Sequence, residues 1–245
     1  MIDLQGIYNK EEFKKTIDNF KKSKKRNIFI EPFLKVTNNK CPYCEVNLPV
    51  KIENRNMCAT IDHYRPQTYY PTLKNVYQNY ILMCNDCNNA FKENKFLIYK
   101  NGKVIEVNKE ITEGKEIQNE QTIIVNPIKD NIFNIFIIRF ILTNKGKVLE
   151  LYPKYTENKD KYLFLKAKKT IELFALGDCE EINDSIKHKK CRIVLLKQHF
   201  NLFYDFVIAL QNKDKKKAFK IFKSRKLEEY GFIEFIKKNL FKVEV

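Results

Sequence analysis

The 245-residue chain carries 46 Lys and Arg against 30 Asp and Glu, a formal net charge of +16, and 44% of its residues are hydrophobic, with 19 Phe and 13 Tyr. That apolar content excludes wholesale disorder, and the longest apolar run, residues 135–142, is far short of the ~20 residues a membrane-spanning helix needs. So basic a surface favours polyanions, nucleic acid first, although a Lys-rich solvated surface gives the same number.

The start of the chain is polar and has no signal-peptide apolar stretch, so the expected compartment is the cytoplasm. There, seven cysteines read as metal ligands or core residues rather than as disulfides.

In chain order, residues 8–26 predict a very basic amphipathic helix with Phe13, Ile17 and Phe20 on one face. Residues 27–33 (NIFIEPF) predict a short extended piece ending at Pro32. Residues 97–107 predict a hairpin turning at Asn101-Gly102, and the polar stretch 108–121 reads as a boundary or loop. A strand at 122–127 and a second hairpin at 136–153, turning at residues 144–146, follow.

Helices are predicted at 161–176, stopping at Gly177, at 185–211 as one or two, and at 215–223 and 227–241. The apolar run with Phe200, Phe203, Phe206 and Ile208 reads as core, with partner docking as the alternative. The basic runs at 21–26 and 213–226 read as solvated helix faces, with phosphate tracking as the alternative. The fold class expected is α+β, with a basic N-terminal helix (1–37), a cysteine-containing module (38–108) and a hairpin-plus-helix region (109–245).

Two C-x-x-C pairs, Cys41/Cys44 and Cys84/Cys87, have the spacing that turns both thiolates of a pair onto one ion. Together they predict a closed tetrahedral zinc site, structural because no coordination position is left open. Cys58, Cys179 and Cys191 are isolated and read as ordinary buried or half-buried residues.

Between the pairs lies Asp62-His63, Asn79 stands five residues before Cys84, and Asn88 directly follows Cys87. Phosphodiester hydrolysis needs an activated water and neutralisation of phosphoryl charge. Asp62 offers a hard oxygen for Mg²⁺, an Asn carbonyl can offer another, and His63 can accept a proton near neutrality. Adjacent residues on a strand point to opposite sides, so aiming Asp62 and His63 at one phosphate needs distortion at the strand end.

The ordered set C-x-x-C, D-H, N, C-x-x-C, N over about residues 38–96 resembles HNH endonucleases of the ββα-metal (His-Me finger) class with four-cysteine zinc knuckles. The resemblance implies a hairpin bearing Asp62 and His63 and a helix bearing Asn88. It implies His63 as general base, Asp62 and Asn88 as ligands of one catalytic Mg²⁺ (Mn²⁺ substituting), structural Zn²⁺ on the cysteines, and Asn79 pinning the hairpin loop. Arg65 is expected in support, through a salt bridge or a phosphate, and Lys92 and Lys95 as phosphate contacts or solvated lysines.

Narrower markers, DHYRP, CNDCNNAFKENKF, TIIVNP and TIELFALGD, are similar to the HNH nucleases of bacterial anti-phage defence, the Septu-system nuclease and its retron-associated relatives. The last departs from the L-N ending of that segment. This similarity implies an SMC/ABC-like ATPase partner and a DNA or tRNA target. The alternative is a zinc-stabilised module that binds nucleic acid or assembles without cutting.

Overall fold

The computed structural model describes residues 1–48, 59–112, 114–143, 146–176, 204–206, 208–210 and 212–224. Its architecture is mixed α+β with small antiparallel sheets. Helix α1 (Glu11–Ser23) buries Phe13, Thr16, Ile17 and Phe20 along one stripe, with Glu11 and Glu12 in its first turn and Lys21 and Lys22 in its last, the order the helix dipole favours.

A tight turn, Arg26–Phe29, leads into helix α2 (Ile30–Val36). The extended piece expected at 27–33 is therefore a turn and a helix. Pro32 falls in the first helical turn, where its missing N–H has no intrahelical partner to lose, and burial of Phe29, Phe33 and Leu34 supplies the reason to be helical.

Strands β1 (Ala59–His63) and β2 (Tyr80–Cys84) form an antiparallel hairpin with Ala59 opposite Cys84 and His63 opposite Tyr80. Helix α3 (Asp86–Lys92) follows at once, its last turn closed by a wide i→i+5 bond from Glu93 N–H to Asn88 O of 2.7 Å. The result is a strand–strand–helix unit.

Strands β3 (Leu97–Lys100) and β4 (Lys103–Glu106) make the predicted hairpin, with Asn101 and Gly102 both at positive φ (52° and 75°), as a two-residue turn of this hand requires. The polar stretch thought to be a loop contains a short helix, α4 (Gly114–Asn119). Of the strand expected at 122–127 only Thr122 pairs, within β5 (Gln121–Thr122) on β3. The residues that follow it, Ile123, Ile124 and Val125, are fully buried.

After α5 (Ile132–Ile135) come β6 (Phe136–Thr143) and β7 (Gly146–Pro153), the second hairpin; residues 144 and 145 of its turn lie outside the described residues. Helix α6 (Lys161–Leu173) is capped by Asp160, whose carboxylate accepts from Leu163 N–H at 2.9 Å. Helix α7 (Lys215–Ser224) matches the expected basic helix. Gly177, Cys58, Cys179, Cys191, most of the predicted helix at 185–211 and all of that at 227–241 lie outside the described residues.

A hydrophobic cluster runs without a break from Met1 and Phe13 through Tyr80 and Phe96 to Ile124, Phe136 and Phe174. The first cysteine turn is keyed into it: Tyr43 donates to Val125 O at 3.0 Å and stacks on Phe174 at 4.1 Å. Among the described residues, no helix is long and apolar enough to cross a membrane.

Candidate active site and metal centre

The four cysteines of the two pairs come together. Cys41, Cys44, Cys84 and Cys87 are all buried, with sulfurs within 4.8 Å of one another, and they can hold a metal ion such as zinc. Local structure aims them. Cys41 and Cys44 sit on a turn closed by Glu45 N–H to Cys41 O (2.8 Å) and Cys41 N–H to Val46 O (3.0 Å), with Glu45 at φ 62°. Cys84 ends β2, Cys87 lies in the first turn of α3, and the Cys87 N–H points at Cys84 Sγ, 3.3 Å away. Burial pushes the Cys44 and Cys87 thiols well above their ordinary value. Four such sulfurs can carry thiolate charge together only against a cation.

His63 is 6% exposed at the end of β1. Its Nε2 lies 2.9 Å from Lys74 O, and since a carbonyl only accepts, Nε2 carries the proton and Nδ1 is left with its lone pair. Tyr80, directly opposite, sits edge-on to the ring at 5.2 Å and donates its hydroxyl to the same Lys74 carbonyl at 2.8 Å. Burial lowers the His63 pKa below the usual imidazole value; the Lys74 carbonyl pulls it up, and the cations of Arg26, Lys92 and Lys74 push it down again. The neutral ring is the favoured form.

Asp62 takes the other side of the strand, with its contacts on α3. Two rungs join β1 to that helix. Asn88 Nδ2 donates to Thr60 Oγ1 at 3.1 Å, and Lys92 Nζ pairs with Asp62 Oδ2 at 2.8 Å. The i, i+2 spacing of the strand matches the i, i+4 spacing of the helix. The Lys92 ammonium also donates to His63 O at 2.9 Å, and the residue is fully buried.

Lys92 is therefore not available to phosphate as expected; its charge is spent inside, on the carboxylate. Burial raises the Asp62 carboxyl to about 6, with Lys92 and the His63 N–H pulling it back down. Oδ2 makes no well-directed hydrogen bond despite the ion pair. Among the described residues, no hydrogen bond links the side chains of Asp62, His63 and Asn88 to one another.

Asn79 pins the loop between β1 and β2. Its Oδ1 accepts from Arg65 N–H at 2.8 Å, and its Nδ2 donates to Arg65 O at 2.9 Å and Leu73 O at 3.5 Å. Arg65 is a salt-bridge residue: Nε meets Glu120 at 2.8 Å, and its guanidinium lies over the rings of Tyr64, Tyr70 and Phe96. Lys95 is exposed, its ammonium 3.4 Å from Phe91 O.

Sequence reasoning missed three contributors: Lys92 as the partner of Asp62, Glu120 as the partner of Arg65, and Arg26, whose Nη1 is 3.5 Å from His63 Nε2. For Lys92 a signal existed, since it lies four residues after Asn88 on a helix beginning at the second cysteine pair. For Arg26 and Glu120 none did. Comparison with family models, curated proteins and solved structures finds no match to this chain.

Proposed function

We propose that the chain is a metal-dependent endonuclease of the HNH type that hydrolyses phosphodiester bonds in nucleic acid. The observation that carries this reading is the locked tautomer of His63: Nε2–H is tied to Lys74 O, so Nδ1 is the free base of a neutral ring. A base of this kind, held by a backbone carbonyl, suits proton abstraction from water.

Two observations bear on Mg²⁺. Asp62 Oδ2 is buried with Lys92 as its ion-pair partner but no well-directed hydrogen bond, and Asn88 uses its amide nitrogen on Thr60, which leaves the carboxamide oxygen for another partner. A carboxylate and a carboxamide oxygen are hard donors that fit Mg²⁺ or Mn²⁺, with water and phosphate completing the shell. When bound, the ion would neutralise phosphoryl charge and assist the leaving oxygen. His63 Nδ1 takes the proton of the attacking water as the new P–O bond forms and the bridging P–O bond breaks, and the departing oxygen is protonated from solvent. Zn²⁺ on the four cysteines would be structural, tying the turn at Cys41 to the junction of β2 and α3.

A second reading has one observation in its favour. Lys92 already neutralises Asp62, so the site is electrically complete without a divalent ion, as suits a zinc-stabilised module that binds nucleic acid without cutting it. The SMC/ABC-like ATPase partner and the role in anti-phage defence rest on the sequence resemblance and are tested by what co-purifies with the chain.

The two readings part on one experiment. Plasmid DNA and tRNA are incubated with the full chain in Mg²⁺, with and without co-purified protein. The nuclease reading expects cleavage that EDTA abolishes and that His63→Ala lowers by at least ~10²-fold with folding retained. Equal cleavage by wild type and His63→Ala would refute it, and no cleavage with retained binding would favour the second reading.

A further inference from the structure

We propose that Arg26 and Lys74 form an anion-binding subsite beside His63 that holds the phosphate of a nucleic-acid backbone, so that the turn between α1 and α2 is part of the active site. The proposal rests on the nuclease reading for the reaction but not for the binding.

The position of Arg26 is built by buried rings. Phe20 of α1 and Phe29 of the Arg26–Phe29 turn are 1% and 0% exposed. Both rings meet Tyr80 edge-on, at 5.4 and 5.6 Å, and Tyr80 in turn meets His63 at 5.2 Å. This stack ties the turn that opens with Arg26 to the face of the hairpin that carries His63. Lys74 arrives from the loop between the strands, its backbone oxygen held by both His63 and Tyr80. Both residues are exposed, so both charged groups can reach a ligand.

The donors at this spot outnumber the acceptors. His63 Nε2 already gives its proton to Lys74 O and cannot also accept from Arg26, so the 3.5 Å approach of Nη1 is a contact between two donors. Among the described residues, neither Arg26 nor Lys74 has a carboxylate within ion-pair distance, whereas the neighbouring cations Lys92 and Arg65 each have one. The Arg26 guanidinium stands against the histidine without an anion, and the exposed Lys74 side chain springs from the residue whose carbonyl that histidine holds, so a phosphate at this spot would compensate both charges. A guanidinium fork matches two oxygens of a phosphodiester, and the ammonium supplies a point charge beside it.

The test uses the full chain carrying His63→Ala, so that the probe survives, and reads fluorescence anisotropy of a fluorescein-labelled 30-base-pair DNA duplex and an RNA hairpin between 50 and 200 mM KCl. Each phosphate contact contributes about 0.9 to the slope of log affinity against log salt on duplex DNA. Arg26→Gln is expected to flatten that slope by about one, and Arg26→Gln/Lys74→Gln by about two. Arg26→Lys should restore the slope but not the full affinity. Lys35→Gln, on the exposed face of α2 and paired with Glu31 at 3.6 Å, is the control, expected to leave affinity within about twofold.

In the His63 background, cleavage plays no part in this readout. If slope and affinity fall while wild type proves not to cleave, the subsite stands and the hydrolytic reading fails. If wild type cleaves but Arg26→Gln binds and cleaves as wild type does, the subsite is refuted and the hydrolytic reading survives. Failure of the parent chain to bind either probe also overturns the proposal.

Discussion

Replacing Lys92 by methionine keeps most of the side-chain volume and removes one charge from the interior. The ammonium is fully buried, 2.8 Å from Asp62 Oδ2 and 2.9 Å from His63 O. Without it the buried Asp62 carboxylate loses its ion-pair partner. Breaking a buried pair on one side costs about 3–5 kcal/mol, which for a chain of this size lowers Tm by roughly 10 °C.

The cost depends on pH. Lys92 is one of the groups holding the Asp62 carboxyl down, and even so burial has raised it from 3.8 to about 6; without Lys92 it rises further. A carboxyl whose folded pKa lies above its unfolded value stabilises the fold fully below the unfolded pKa. That contribution is lost as pH rises through the folded pKa. The destabilisation by Lys92→Met is therefore largest above pH 7 and shrinks as pH falls toward 4. Urea denaturation of wild type, Lys92→Met, Asp62→Asn and the double variant at pH 5 and 7.5 measures both the size and the trend. The double variant should recover most of the loss, because neither charge is then stranded. A loss below ~1 kcal/mol, or one that is the same at both pH values, would refute the buried-pair argument.

Two further outcomes are expected. Elemental analysis of the purified chain should find about one zinc per chain on the four cysteines. Chelation or Cys84→Ser should then lower the melting temperature, and metal affinity should weaken as pH falls from 8 to 6, because the thiols must release protons to bind. A metal-free chain melting like the metal-loaded one would overturn the assignment. Cleavage, measured in single turnover against pH, should fall on the acid side as His63 takes a proton. Since burial holds its pKa below 6.5, the midpoint should lie below that value. The same depressed pKa means that the stability His63 contributes is present above 6.5 and lost as pH falls through its folded value. An acid midpoint at or above 6.5 would contradict the buried, neutral ring.

Much of the fold was legible where local chemistry decides it. The stripe Phe13, Ile17, Phe20 wrote α1, Asn101-Gly102 wrote the β3–β4 turn, and the C-x-x-C spacing predicted the four-sulfur cluster. Asn79 was expected to pin the loop only because the resemblance implied it, and the geometry gives it three bonds to the loop backbone. Residues 27–33 misled because the residue before a proline is biased toward extended backbone, whereas the buried Phe29 and Phe33 favour a helix in which that proline occupies the first turn.

What the sequence by itself determined is therefore the set of short-range devices: periodicity, turns, knuckles and the order of polar residues between them. Only the tertiary structure decided how those residues are shared out. The pairing of β1 with β2 sets Asp62 toward Lys92 and His63 toward Tyr80, and helix α3 spends a lysine on a buried carboxylate that the sequence left to solvent or phosphate. The stack of Phe20, Phe29 and Tyr80 brings Arg26 to a histidine 37 positions away. The physical reason is range: a charge buried against a distant partner leaves no periodic trace, because its placement depends on which faces pack together and not on its own neighbours in the chain.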